Sequence, residues 1–251
     1  MTTGTLTART VHVEHCMGTV FTIDVRDPGN WDEATADCVA WLHRVDALFS
    51  TYRDESEVSR IRRGELTIAQ AHQDVREVFA LCEQARLLTH GYFSLHWRGV
   101  PDPTGLVKGW AIDRASALLR EHGSTNHAVN GGGDMCLAGQ AAPGRAWRVG
   151  ISDPHRPRHL LTVVTGTDIA VATSGLAERG PHIVDPWTGA PAQDLAAVTV
   201  TGPTLTLVDA YATAAVAMGA DALRWLPNLP GHEAFIVTTD GEHRRTTGFG
   251  T

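Results

Sequence analysis

Four stretches of the sequence carry side chains whose type and spacing could do chemistry. Asp209 and Thr213 stand four residues apart in Asp209-Ala210-Tyr211-Ala212-Thr213, a spacing that projects both from one face of a helix. A carboxylate and a hydroxyl so placed form an oxygen pair suited to a hard cation such as magnesium. The small neighbours Ala210, Ala212, Ala214, Ala215 and Ala217 leave room for other backbone to approach. An Asp near a helix start also serves the helix dipole, which is the plainer reading. In His182-Ile183-Val184-Asp185-Pro186, a histidine beside a Gly-Pro turn has an Asp three residues on. That is either a general base held by loop geometry or a hydrogen-bonded loop histidine. The segment 102–113 joins Asp102, the flexible Gly105 and Lys108 at an expected helix start, where a cation can meet phosphate. The alternative is a loop followed by an ordinary amphipathic helix. Asn130-Gly131-Gly132-Gly133-Asp134 lies between two expected strands. It lacks the strand-turn-helix setting that puts a helix N-terminus under a phosphate. It is a tight turn, or backbone pressed against a flat or phosphorylated ligand.

Other chemical signatures are missing. There is no Walker A sequence, no G-x-G-x-x-G and no G-x-S-x-G elbow. His155 and His159 have helical ligand spacing, but Pro157 between them argues for a surface loop, and His90 and His96 lack a partner at ligand spacing. Cys16, Cys38, Cys82 and Cys136 are widely spaced, form no C-x-x-C and sit among apolar residues. They read as buried thiols in a reducing cytosol.

The elements that must position these residues follow from periodicity. Val11, Val13, Phe21, Ile23 and Val25 alternate as strand, interrupted at Met17-Gly18-Thr19. Asn30 and Glu33 suggest a capping box, with Ala34, Cys38, Trp41, Val45 and Leu48 at helical spacing as far as Phe49. A turn-rich piece holds Ser50, Tyr52, Ser56 and Glu57. Val75, Val78, Cys82 and Ala85 mark a second helix ending near Gly91, residues 91–103 read as loop, and a third helix runs from about Gly109 to Glu121 and stops at Gly123. Short strands dominate from His127 to about Thr201, with Gly166-Thr167-Asp168 as a hairpin turn. A fourth helix covers about Leu207 to Met218, and Phe235–Thr238, a turn at Asp240-Gly241 and a short strand finish the chain.

Helices and antiparallel hairpins are segregated, which predicts an α+β fold. With 251 residues, no repeat and no linker, a single domain over 1–251 is expected, the first ten residues forming a flexible terminus. The composition, 43% apolar and 20% charged, is that of a globular protein. A net charge of −7 disfavours a nucleic-acid polymer as partner. No apolar run reaches the roughly 18 residues of a membrane span, and the polar start has no secretory signal, so a cytoplasmic location is expected. The 25 glycines mean either many turns or backbone brought close to a ligand.

These pieces occur in a familiar order. The chain resembles the FAD:protein FMN transferase family, also called the ApbE family, from about Val13 to Thr238. The resemblance rests on Met17-Gly18-Thr19, on Phe49-Ser50-Thr51-Tyr52 with Ser56-Glu57-Val58-Ser59-Arg60, and on 102–113 with Lys108-Gly109-Trp110-Ala111. It continues with Asn130 to Asp134, Trp147 to Pro154 (WRVGISDP), Thr173-Ser174-Gly175, His182 to Gly189 (HIVDPWTG) and Asp209 to Thr213 (DAYAT).

The resemblance implies an α+β fold similar to the T-fold, with antiparallel sheets and packed helices. It implies an enzyme that binds FAD with magnesium, moves FMN onto a Ser or Thr hydroxyl of an acceptor protein, and releases AMP. Carried over by position, Asp209 and Thr213 look like side-chain magnesium ligands, with the Gly105 carbonyl as a third. Met17, Tyr52, Tyr92, Phe93, Asp102, Lys108 and Val184 match flavin-nucleotide positions. His182 matches the histidine that assists the chemistry, beside Asp209. Two alternatives use the same residues: an FAD pyrophosphatase, with water in place of the acceptor, and a non-catalytic FAD-binding protein. The chain departs from the family where Ser94 stands in place of the usual Asp, and where the segment before His182 (GLAERGP) is short.

Overall fold

The structure is a computed structural model describing residues 9–97, 99–156, 158–176 and 183–250. The chain opens with an antiparallel hairpin, β1 (Thr10–Cys16) and β2 (Thr19–Val25). Its two-residue turn is Met17-Gly18, at φ 52° and 70°, the left-handed pair that a tightly twisted hairpin requires. On β2 the alternation is strict: Phe21, Ile23 and Val25 face the helices, while Thr22 and Asp24 face away. Of the expected flexible terminus, residues 1–8 lie outside the described residues. Arg9 grips Asp24 with two nitrogens at 2.9 and 2.8 Å.

Three helices follow, α1 (Asp32–Phe49), α2 (Glu57–Arg62) and α3 (Gln73–Leu88), then a pair of two-residue strands, β3 (His96–Trp97) and β4 (Val100–Pro101), and α4 (Thr104–Glu121). The strands β5 (His127–Gly131), β6 (Asp134–Ala138), β7 (Trp147–Ser152), β8 (Leu160–Gly166), β9 (Ile169–Gly175) and β10 (Leu195–Gly202) lead to α5 (Leu205–Met218). A short helix α6 (Ala222–Trp225) and strands β11 (Glu233–Thr238) and β12 (His243–Arg245) complete the order.

Eight strands form one sheet in the order β1-β2-β5-β6-β9-β10-β11-β12, and every neighbouring pair is antiparallel. Helices α1, α4 and α5 lie on one face, over a core that includes Phe21, Leu42, Ile112, Val198 and Val208. The hairpin β7–β8 covers the other face at the β6–β11 end, around Leu137, Trp147, Val171, Phe235 and Phe249. No helix among the described residues is long and apolar enough to cross a membrane.

The α+β expectation holds, and four local readings change. The helix α1 has no capping box. Its N-cap is Trp31, whose indole donates to the Asp27 carbonyl at 3.0 Å, while Asn30 accepts from the Asp32 amide at 2.8 Å. The turn-rich piece contains α2, capped by Ser56 accepting from the Ser59 amide at 3.0 Å. The third expected helix starts at Thr104, five residues before Gly109, because the Asp102 carboxylate takes both the Thr104 amide (3.1 Å) and hydroxyl (2.6 Å) and so organises the first turn. Gly166-Thr167-Asp168 closes no hairpin. Both edges of β9 are already occupied, by β6 and β10, so β8 pairs with β7 instead and the turn carries the chain from one layer to the other.

Candidate functional site

The start of α5 is built from another helix. Thr204 at its N-cap makes no side-chain cap bond. The Asp113 carboxylate, on α4, accepts instead from the Leu205 amide (3.0 Å), the Thr206 amide (2.8 Å) and the Thr206 hydroxyl (2.6 Å). Burial pushes the Asp113 carboxyl above its ordinary range, opposed by those bonds from Thr206 and Leu205 and by one from Cys136. The two helices approach closely at Gly109, where a Cβ would come within 2.7 Å of the Leu205 carbonyl oxygen. Trp110 packs against Trp41 at 5.0 Å between ring centroids and donates to Glu77 at 3.1 Å. Gly109 and Asp113 of the Lys-Gly-Trp-Ala-Ile-Asp run therefore set α5 on α4, while Trp110 ties α4 to α1 and α3.

That junction brings Lys108 to α5. Its ammonium lies 3.7 Å from Asp209 Oδ2 and forms an ion pair with Asp134. Both carboxylates are buried, Asp209 at 6% and Asp134 at 3% exposure. Asp134 also accepts from the Thr173 amide at 3.0 Å. One turn beyond Asp209, the Thr213 hydroxyl meets Ser174 Oγ of β9 at 3.1 Å. Asp209 is the fifth residue of α5, and Asp113 occupies the helix start, so the dipole reading of Asp209 loses its basis. Two buried carboxylates beside one ammonium leave a strongly polar site of net negative charge, suited to a cation. Among the described residues no three His, Cys, Asp or Glu side chains converge as a metal cluster. A cation at Asp209 and Thr213 would draw on hydroxyl and carbonyl oxygens as well, the donor set magnesium accepts.

The glycine-rich segment is the tight turn between β5 and β6, with Gly132 and Gly133 at φ 62° and 100°. Asn130 Oδ1 accepts from the Gly133 amide at 2.9 Å. A Cβ on Gly131 would meet Phe21 at 2.6 Å, so that glycine serves packing. The turn delivers Asp134 to Lys108 and lies against the β1–β2 turn, the Gly132 amide donating to the Val20 carbonyl at 3.1 Å. Met17 is half-buried there and lines a cavity of about 440 Å³ with His43, Asp46 and Arg53.

The other expected site residues are dispersed around this junction. Gly105 is exposed in the first turn of α4, where a Cβ would lie 3.5 Å from the ring of buried Phe93. Asp102 spends its carboxylate on Thr104, and its amide donates to the Leu95 carbonyl at 2.6 Å. Tyr92 is half-buried, its amide bonded to the Thr89 carbonyl at 3.0 Å. Tyr52 is 98% exposed and stands out into solvent. Val184 bridges to Pro191. Asp185 folds the loop after it, accepting from the Trp187 amide (2.9 Å) and the Thr188 hydroxyl (2.8 Å). His182 lies outside the described residues. Asp113, Asp134 and Ser174 belong to the junction without having been singled out as site residues. Each sits in a quoted motif, and the available signal was a polar side chain next to a glycine or apolar run that the fold buries.

The eight-stranded antiparallel sheet, helical on one face and covered by a hairpin on the other, is the fold of solved flavin transferases. It superimposes on the flavin transferase ApbE from Vibrio cholerae with a TM-score of 0.84 at 20% identity, over 96% of this chain and 98% of that one. The ApbE protein from Thermotoga maritima gives 0.85 at 23% identity, over 97% and 100%. The sequence profile of the ApbE family matches residues 17–100 and 102–236, and the chain belongs to that family. Among curated relatives, the FAD:protein FMN transferase of Escherichia coli (strain K12) is 28% identical over 155 residues, 58% of this chain and 44% of that protein. That of Treponema pallidum (strain Nichols) is 32% identical over 166 residues, 59% and 46%. The chain thus spans just under half the length of these relatives.

Proposed function

We propose that this chain transfers FMN from FAD to a Ser or Thr hydroxyl of an acceptor protein and releases AMP. The observation that carries the reading is the α4–α5–β9 junction, where Lys108, Asp134, Asp209, Thr213 and Ser174 meet. The acceptor oxygen attacks the FMN phosphorus, a new P–O bond forms, and the bond to the bridging pyrophosphate oxygen breaks, AMP leaving with that oxygen. Positioning and charge stabilisation carry most of the catalysis in such transfers. Magnesium held by Asp209, Thr213 and the Gly105 carbonyl would offset charge on the pyrophosphate. Lys108 adds a cation to the same place, and Asp134 orients it. His182 takes the proton of the incoming hydroxyl, worth on the order of 10²–10⁴-fold. Met17, Tyr52, Tyr92, Phe93, Asp102 and Val184 surround the nucleotide, with Tyr52 available to close over a flat ring because nothing else covers it.

The four cysteines are free, and burial raises their thiols to about 11 for Cys16 and Cys136 and about 12 for Cys38 and Cys82. Unpaired, protonated thiols suit a reducing compartment, which supports a cytoplasmic or cytosol-facing acceptor.

The test is incubation with FAD, magnesium and a flavin-domain acceptor protein, followed by mass spectrometry of the acceptor. An FMN adduct is the expected result. Free FMN and AMP without an adduct would mean hydrolysis, and intact bound FAD would mean a carrier. Asp209→Ala is expected to abolish magnesium-dependent turnover, and full activity in that variant would remove the metal assignment.

A further inference from the structure

One sizeable cavity lies away from the α4–α5 junction. It holds about 690 Å³ on the opposite face of the sheet, between β2, β5 and β6 and the overlying β7–β8 hairpin. None of the residues assigned above to FAD or magnesium lines it. Its size falls within the roughly 300–1,000 Å³ of small-molecule sites, well beyond a single inorganic ion.

The lining is cationic in a chain whose net charge is −7. Arg26, Arg145 and Arg148 line the cavity together with one carboxylate, Asp24. That carboxylate is already shared, accepting from Arg26 at 2.7 Å and from Arg9 at 2.8 Å. Arg145 and Arg148 make no side-chain hydrogen bond or ion pair among the described residues. Arg26 lies 5.0 Å from the centroid of the Trp147 ring and donates weakly to the Ala141 carbonyl at 3.3 Å. Its Nε is buried with no hydrogen-bond partner among the described residues. A buried guanidinium N–H without an acceptor is an incomplete arrangement that an incoming oxygen would complete. Guanidinium forks match carboxylate and phosphate oxygens in pairs, and Met135 and Trp147 supply apolar wall beside them. Trp147 and Arg148 open the WRVGISDP segment, which holds none of the residues assigned above to FAD.

We propose that this cavity binds a small organic anion carrying two or more carboxylate or phosphate groups, at a site separate from that of FAD. The probes are citrate and tripolyphosphate, titrated calorimetrically into the intact chain without magnesium at fixed ionic strength. Saturable one-to-one binding of at least one probe is expected, and the preferred probe tells carboxylate from phosphate. The double variant Arg145→Glu/Arg148→Glu changes two exposed side chains outside the transfer site. It is expected to weaken that binding by about tenfold or more, with melting behaviour and FAD affinity unchanged. No saturable binding of either probe would overturn the proposal. So would binding that survives the double variant but is lost in Lys108→Ala, because the anion would then sit at the α4–α5 junction.

Discussion

Replacing Asp113 tests whether α4 sets the position of α5. Asp113→Ala removes three acceptor contacts at once, to the amides of Leu205 and Thr206 and to the Thr206 hydroxyl. Water is a poor substitute, since Leu205 is 0% and Thr206 7% exposed. Losing a helix N-cap costs about 1–2 kcal/mol, and a buried amide left without a partner about 1–3 kcal/mol. The variant regains part of this, because a carboxylate whose pKa is raised by burial is unfavourable in its charged form. The expected net loss is about 2–3 kcal/mol in urea unfolding at neutral pH. Asp113→Asn keeps one acceptor oxygen without the charge and should lose about half as much.

The sign of the pH dependence follows from the same shift. A carboxyl whose folded pKa lies above its unfolded value contributes stability that is complete below the unfolded value and is lost as pH rises through the folded one. Asp113→Asn removes that loss, so the Asn variant should gain on the parent as pH rises through this window. The metal ligands proposed on α5 add a second readout. Fraying at Leu205 displaces Asp209 one turn later, so half-saturation by magnesium should rise about tenfold in Asp113→Ala and much less in Asp113→Asn. An Ala variant as stable as the parent, or an Asn variant as damaged as Ala, would refute the cap.

Two further perturbations probe the scaffold. His127 is fully buried between Ser116 and Ser124, each hydroxyl 2.8 Å from a ring nitrogen, and burial lowers its pKa from 6.5 to about 4, with Arg120 reinforcing the shift and Asp27 and Asp168 opposing it. The unfolded chain then binds the extra proton between these values. The stability this neutral imidazole gives is complete above about pH 6.5 and falls by about 3 kcal/mol as pH drops towards 4; urea midpoints at pH 7 and 4.5 should show it, and His127→Gln should flatten it. Gly109→Ala should lose about 1–3 kcal/mol in thermal unfolding, since its Cβ meets Leu205 backbone at 2.7 Å; the roughly 1 kcal/mol of helix propensity gained is too small to reverse the sign, and a stabilised variant would mean the helices cross farther apart.

Local periodicity is legible in this sequence, and contacts between distant residues are not. The alternation of Phe21, Ile23 and Val25 and the spacing of Val75, Val78, Cys82 and Ala85 sit in a strand and a helix as expected, because one buried face imposes one period, whereas Val11 and Val13 lie in β1 as expected but on its exposed side. The start of α4 was hidden by Pro103 and Gly105, which look like breakers until Asp102 is seen to hold Thr104. The turn at 166–168 looked like a hairpin because nothing local reveals that β9 is enclosed on both sides. Asp113 and Leu205 are 92 residues apart, so a cap made across helices leaves no spacing to read.

The motif letters themselves divide by what each side chain touches. Lys108 faces the carboxylates, while Gly109 sets the helix crossing, Trp110 packs on Trp41, and Asp113 caps the neighbouring helix. Asp134 orients a cation, while Gly131 makes space for Phe21. Asp185, three residues after the expected histidine, folds its own loop through the Trp187 amide and the Thr188 hydroxyl. A run of motif residues in family order therefore marks a construction as much as a reaction. The proposed chemistry rests on few side chains, and Gly109 and Asp113 hold α5 where Asp209 and Thr213 stand on one face. Under the proposed transfer, substitutions at Gly109 or Asp113 should accordingly alter turnover through the position of α5 and through stability, whereas changes at Asp209 would remove a proposed magnesium ligand and changes at Lys108 the cation beside it.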